Sequence, residues 1–558
     1  MTYLGLQVKS SKKFKSFDRQ NIQVDLNGSL LCLNVTKLQI KIMSPSTFVA
    51  ILLGVWSTFH LAHNFLLNSS TFGHHVSSFL INYNVSISLF HIRWFTAGWN
   101  RFFIKIGRMC TSKLKLWFDA GVFLAVLTMF VGTILLCHTL YVTILQIFFK
   151  PEKPVPDQQV LSVIVPGINM PIHDIWYLLS SIFLSGILHE FGHAIAAARE
   201  GIQINGFGIF AFLIYPGAFV DLNSDDMSRK SPLCQLRVYC AGVWHNFVIC
   251  VAACGLIVLL PGLLFPFYTS KPDGVLVTHQ MPESPLQGSM GLRAGDHVLM
   301  IDSCKISNKT DWFQCINKTK KSAQWGSCVS KKKIDSVSSH TVFTVNNPNI
   351  QSSTSHRHYW MDCCDIHAPQ THLCYKYTTI QSNNTMYACL PGRVMISTLE
   401  DCVSTKDCHT NKDEDQDDIV CAKAHTEPGV KFIRITTLRQ GLDKHNVLYI
   451  GDPADIVRSV TVSDLFPRYT LIPPKLPSII LRFLQYMFSM SGALALLNIV
   501  PCYALDGQWA FRAFLNYFAS DEKLSQVKKE MICQLVLLAG TSLLAANIFF
   551  GFVHLFTR

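Results

Sequence analysis

The sequence predicts a polytopic α-helical membrane protein with one α/β module outside the membrane, and three observations predict it. Only 15% of the 558 residues are charged while 49% are hydrophobic, where soluble domains carry roughly a quarter charged. The deficit is concentrated in runs free of Asp, Glu, Lys and Arg, at 47–67, 120–149, 175–188, 238–267, 483–505 and 531–557. Roughly 20 apolar residues cross a bilayer core, so most of these runs are long enough to span. Finally, ten of the 19 cysteines lie between Cys304 and Cys421, in one long polar stretch.

Residues 1–42 carry a net charge of +5 and no apolar core of signal-peptide length, so they are set apart as an extension outside the fold. Residues 43–172 then form an N-terminal region of two spans and their loops. The loop at 68–118 gives opposed signals. Its basic residues, Arg93, Arg101, Lys105, Arg108, Lys113 and Lys115, favour the cytosol, whereas the sequons at Asn68 and Asn84 favour the lumen, where the loop is placed. The overall charge of +12 is read through such basic loops flanking the bilayer, with no direct nucleic-acid binding. A proline-rich linker, "KPEKPVPDQQ", follows the second span.

Residues 173–268 form a membrane core. It opens on an apolar helix containing "ILHEFGHAIA", continues through "GFGIFAFLIYPGAFVDL" at 206–222, and ends in a span containing "AGVWHNF". The middle stretch is too short and too Gly/Pro-punctuated to span, and its aromatic and β-branched content predicts extended structure. Residues 269–475 form the module outside the membrane. Strands flank "SPLQGSMGLRAGD", a cysteine-rich insertion occupies about 312–430, and "VRSVTVSDLF" closes the module. Ten cysteines and three sequons (Asn308, Asn317 and Asn383) share that stretch, which makes it lumenal, with up to five disulfides of undetermined pairing. A cytosolic cysteine–metal site would need repeated Cys-x-x-Cys spacing, which is missing. Residues 476–558 return to the membrane.

The chemistry sits in His189, Glu190 and His193. On a helix, positions i and i+4 share a face, so both imidazoles can converge on one Zn²⁺. Glu190 is offset from that pair, at the right angle to act on a water at the metal as general base. A chance polar cluster is the alternative, but in an apolar helix each unpaired ionisable group costs a few kcal/mol. A catalytic site needs a third protein ligand. The best candidate is Asp506, which follows a 23-residue uncharged run in "LLNIVPCYALDGQWAF"; the competing reading is a carboxylate capping the next helix.

His-Glu-Phe-Gly-His together with Asn-x-x-Pro…Leu-Asp-Gly resembles the site-2 proteases, a family of intramembrane zinc metalloproteases. "YPGAFVDL", "AGVWHNF" and "SGALALLN" point to its animal members; where human-type members carry a serine run, this chain has its proline-rich linker. The "SPLQGSMGLRAGD" stretch is similar to the PDZ-like modules of membrane proteases, which completes the predicted fold class: helical spans plus a lumenal PDZ-like α/β module with a cysteine-rich insertion. The resemblance implies one Zn²⁺ held by His189, His193 and Asp506, with Glu190 as the catalytic base. It implies that Asn246, at the end of Gly-x-x-x-Asn, holds substrate or oxyanion, and that 206–222 receives an unwound substrate by strand addition. It also implies a Golgi or endoplasmic-reticulum membrane. Its implied substrates are membrane-anchored transcription factors, already cut once by a lumenal protease. A membrane zincin with a water-filled chamber, a zinc transporter and a non-catalytic zinc scaffold remain the rival readings.

Overall fold

The computed structural model describes residues 45–557 except 110, 149–163, 167–168, 272, 282–283, 288–290, 338–342, 345–362, 365–371, 379–384, 393–394, 396–399, 409–418, 427–428, 440–442 and 520–523. The 1–42 extension, the proline-rich linker and Asn383 therefore lie outside the described residues. Among those described, six helices are long and apolar enough to cross a membrane. They are α1 (Pro45–Asn68), α4 (Thr111–Phe148), α5 (Ile175–Glu200), α8 (Ala241–Leu264), α12 (Leu476–Asn498) and α14 (Gln526–Thr557). Their outward faces are unpaired apolar side chains such as Phe65, Phe123, Val258 and Leu535. That surface suits hydrocarbon, because helices satisfy their own backbone groups. α5, α8 and α12 pack on one another, and α4 packs against α8 and α14.

Beside this bundle lies a four-stranded antiparallel sheet in the order β1-β2-β3-β4. β3 (Ile204–Phe212) and β4 (Tyr215–Leu222) are the stretch predicted to be extended. β1 (Val85–Ser88) and β2 (His91–Thr96) come from the 68–118 loop, between the short helices α2 (Gly73–Asn82) and α3 (Asn100–Arg108). β2 pairs with β3 in the register Trp94↔Ile209.

This pairing contradicts placing that loop on the same side as the cysteine-rich module. The Asn100 amide donates to the Ile204 carbonyl at 2.9 Å, and Gly107 lies against Ala198, at the C-terminal end of α5. The cysteine-rich module enters the bundle at the other end of α5, where Arg482 near the start of α12 binds Asp174 at 2.7 Å. The loop and the module are thus on opposite sides of the bundle. The register fixes the end of the bundle that the loop occupies, so loop and module cannot both be lumenal.

After the sheet come α6 (Ser224–Ser228), α7 (Pro232–Tyr239) and α8. Beyond α8, β5 (Tyr268–Ser270) pairs with β18 (Leu465–Pro467), and the chain builds two further sheets. The first has the order β16-β15-β7-β6-β17, with β8 (Cys304–Lys305) alongside β7. Its strands are β6 (Val275–Gln280), β7 (His297–Ile301), β15 (Lys431–Arg439), β16 (Asp443–Gly451) and β17 (Val460–Ser463). α9 (Lys309–Lys321) inserts Trp312 and Ile316 into its core, and α11 (Pro453–Ser459) inserts Ile456. The second sheet, β10-β12-β11-β14-β9-β13, includes β9 (Gly326–Ser330), β13 (Asp401–Cys402) and β14 (Ile419–Ala424). The short helix α10 (Lys331–Val337) follows β9. Strands β10, β11 and β12 are Phe343–Thr344, His372–Thr378 and Thr385–Pro391.

All ten module cysteines pair: Cys304–Cys315, Cys328–Cys408, Cys363–Cys374, Cys364–Cys389 and Cys402–Cys421. Asp302 joins the two sheets. Its carboxylate accepts from the Trp325 indole and the Arg434 backbone N–H, both at 2.8 Å. Burial among these groups raises its pKa above the usual aspartate range.

Candidate metal centre

α5 supplies two of the site's groups from consecutive turns. Its alanine-rich C-terminal half favours helix, and Gly201 in the left-handed region ends it. His189 and His193 are both buried, with their Nε2 atoms 3.1 Å apart. Asp506 meets them from across the bundle, its Oδ2 lying 2.8 Å from His189 Nε2 and 3.3 Å from His193 Nε2.

The local chain explains how a carboxylate reaches that point. α12 ends at Asn498, residues 499–505 cross without helix, and Ala504 adopts positive φ. The next helix, α13 (Asp506–Phe518), begins at Asp506. Leu505 occupies the capping position and no side chain caps the helix. The Asp506 carboxylate is spent on the histidines, which removes the helix-cap reading.

This donor set fits a divalent cation. Tetrahedral ligands about 2.0–2.1 Å from zinc stand roughly 3.3 Å apart, close to the three separations observed. Two imidazole nitrogens and a carboxylate oxygen facing one another have no better common partner. Gly242 on α8 leaves the necessary space: a Cβ there would sit 2.4 Å from His193 Nε2 and 2.5 Å from His189 Nε2. Gly192 permits the close approach of α5 to α8, since its Cβ would fall 2.7 Å from the Ala241 carbonyl oxygen.

The outer ring nitrogens are also held. His193 Nδ1 donates to the Val238 carbonyl at 2.7 Å, which leaves Nε2 free as a ligand. His189 Nδ1 lies 3.0 Å from the Asn246 amide, whose Oδ1 is otherwise without a partner. With Nε2 ligating a cation the ring proton would sit on Nδ1, and the amide would then present its oxygen to it. Asn246 is fully buried and its amide is engaged by His189. The structure therefore places it against a histidine of the cluster.

Glu190 points to the sheet. Its Oε2 accepts from the Val220 N–H of β4 at 3.0 Å. Val220 therefore does not use that N–H on β3, its neighbour in the sheet, and the unpaired edge of β4 runs past Glu190. His245, the other histidine of "AGVWHNF", donates Nδ1–H to the Ala241 carbonyl at 2.8 Å and packs beside Phe118. Among the described residues, the other close group of metal-ligating side chains, Cys328, Cys402 and Cys408, is consumed by disulfides. Asn308 and Asn317 are exposed on or beside α9, and Asn308 also caps that helix by accepting from the Asp311 N–H at 2.9 Å.

Sequence reasoning missed the roles of Gly242 and of the Val238 carbonyl. Gly242 had a legible signal, since it lies one turn before Asn246 on the face turned to α5. The Val238 carbonyl had none, because any backbone carbonyl can accept a hydrogen bond.

Comparison with known proteins gives the family. Residues 177–544 match the model of peptidase family M50, a span that contains both histidines, Glu190 and Asp506. A relative from Arabidopsis thaliana, described as a membrane-bound transcription factor site-2 protease homolog, is 27% identical over 491 residues. That alignment covers 81% of this chain and 90% of the relative. The matched span carries the two-histidine, one-aspartate cluster of the helical membrane bundle, and this chain belongs to peptidase family M50, the site-2 proteases, as a membrane metalloprotease.

Proposed function

We propose that the protein binds one Zn²⁺ through His189, His193 and Asp506 and hydrolyses a peptide bond within the transmembrane segment of its substrate. The observation that carries this reading is the position of the donor cluster. It lies between apolar spans, with Glu190 beside it and an open strand edge next to Glu190.

Bound there, the cation supplies Lewis acidity, which acidifies water and polarises a carbonyl. The protein's own groups do the rest. Glu190 takes the proton of the attacking water on a carboxylate oxygen and returns it to the departing amine nitrogen. Asn246 and the Val238 carbonyl hold the two imidazoles in register. The free edge of β4 binds the substrate as an added strand, with backbone hydrogen bonds replacing those of its unwound helix.

The substrates are membrane-anchored transcription factors, such as sterol regulatory element-binding proteins and endoplasmic-reticulum stress factors, after a first lumenal cut. Cleavage releases their cytosolic domains. The enzyme resides in Golgi or endoplasmic-reticulum membranes, with the disulfide-bonded module in the lumen. Asn308, Asn317 and Asn383 carry the glycans, and the 269–475 module, PDZ-like in its first sheet, selects pre-cut substrate.

Incubating purified protein in liposomes with a pre-cut transmembrane substrate, and mapping the products by mass spectrometry, tests the reading. Cleavage inside the apolar segment, abolished by a chelator and restored by Zn²⁺, is expected. Products ending only outside that segment would contradict it.

A further inference from the structure

α3 is built unlike a simple connector. Arg101, Lys105 and Arg108 stand at i, i+4 and i+7, which places them on one stripe of the helix. All are exposed, and none has an ion-pair partner among the described residues. Phe103 and Gly107 occupy the opposite, buried face. Between the two faces, Phe102 and Ile104 are exposed on either flank. Lys113, Lys115, Leu116 and Trp117 extend the same mixture of cations and bare apolar groups into the first turns of the span α4.

A cationic stripe bracketed by exposed apolar side chains, immediately before a span, is the composition of a helix lying in a bilayer interface on anionic headgroups. Its level is set by a polar layer at the same end of the bundle, where Arg237 binds Asp119 at 2.6 Å and Glu200 at 3.4 Å.

The buried face of α3 touches the catalytic helix. The Phe103 ring meets Phe191 edge-on with centroids 5.0 Å apart, and Trp99 lies 5.9 Å from the same ring. Phe191 immediately follows Glu190 and also packs on Phe207 of β3 at 5.3 Å. A change in how α3 seats is therefore delivered to the residue next to the general base and to the sheet that holds it.

We propose that α3 is a binding surface for anionic lipid, and that anionic lipid in this leaflet raises the rate of cleavage by seating Phe103 against Phe191. The rate claim rests on the protease reading above; the binding claim does not. The test uses the full-length protein in nanodiscs of phosphatidylcholine alone or with about 30% phosphatidylserine. It compares wild type with R101Q/K105Q/R108Q and with the charge-keeping R101K/R108K. Lipid retained by the protein, zinc content and cleavage of a transmembrane reporter are measured on the same samples.

Phosphatidylserine is expected to be enriched around wild type and R101K/R108K. The triple Gln variant is expected to lose about tenfold or more of that preference while keeping its zinc and its rate in phosphatidylcholine. Cleavage by wild type is expected to rise severalfold with phosphatidylserine, and cleavage by the triple variant to stay flat. Equal enrichment around wild type and the triple variant would overturn the binding claim. So would displacement of the lipid by soluble polyglutamate at low concentration, which would identify an acidic protein partner. Enrichment with an unchanged rate would overturn the regulatory half. Absence of cleavage in every lipid, with enrichment intact, would count against the protease reading and leave the binding claim standing.

Discussion

At the scale of single residues, the site depends as much on what Gly242 lacks as on what the ligands supply. A methyl group at this position would enter the space shared by both Nε2 atoms, so Gly242→Ala is expected to lose zinc while the protein still folds. Metal analysis of the purified variant checks this; retained stoichiometric zinc would show that the cation sits elsewhere. His189, Glu190 and His193 were legible because their spacing along one helix is a local property. Asp506 was legible because a lone acid after a long uncharged run needs a partner. The contacts of Asn246 and Val238 depend on how α5 and α8 pack, and no local pattern records that. Asp302 offers a separate test within the module. Its folded-state pKa is raised by burial, so its stabilising contribution is present below the usual aspartate value and is lost as pH rises through the folded value. The stability difference between wild type and Asp302→Asn should therefore shift against wild type as pH increases from about 4 towards neutral. Thermal unfolding across that range reads the sign, and a pH-independent difference would contradict it.

At the scale of elements, the decisive contribution is the β1–β2 hairpin, which places a sheet next to the motif helix. The extended character of 206–222 was visible in its aromatic and glycine content. Its partner was not, because β2 and β3 lie more than a hundred residues apart and strand pairing at that distance leaves no local trace. Since Val220 directs its N–H outward to Glu190, alternation makes Ala218 the next outward position on β4. Proline is tolerated at such an edge but cannot donate to an added strand. Ala218→Pro is accordingly expected to keep zinc and fold while weakening cleavage mainly through KM. An unchanged KM would remove β4 as the substrate's docking edge. The ion-pair layer at this end of the bundle has a structural role: Arg237→Ala removes the cation bound by Asp119 and leaves buried Glu200 with Arg199 alone, which costs about 1.5–3 kcal/mol. A fall in thermal midpoint without loss of zinc stoichiometry in the surviving folded protein is the expected signature.

At the scale of the whole molecule, the chain divides its tasks between the two sides of the bundle. One side carries the sheet that reaches Glu190, and the other carries a module closed by five disulfides. The membrane architecture and the cysteine-rich module were evident from composition, since charge depletion and cysteine clustering are bulk properties. Which cysteines pair, and which loop faces which side, required the folded chain. The family assignment makes the protein a membrane metalloprotease, and the central claim is that Glu190 is the base for chemistry at His189, His193 and Asp506. The most direct measurement takes purified wild type, Glu190→Gln and Asp506→Ala, and follows zinc content and cleavage of one transmembrane substrate in the same liposomes. The account predicts one zinc per chain and cleavage for wild type, and zinc without cleavage for Glu190→Gln, a loss of at least about 10²–10⁴-fold in rate. It predicts loss of both for Asp506→Ala. Cleavage by Glu190→Gln at the wild-type rate, or full zinc retention by Asp506→Ala, would contradict it.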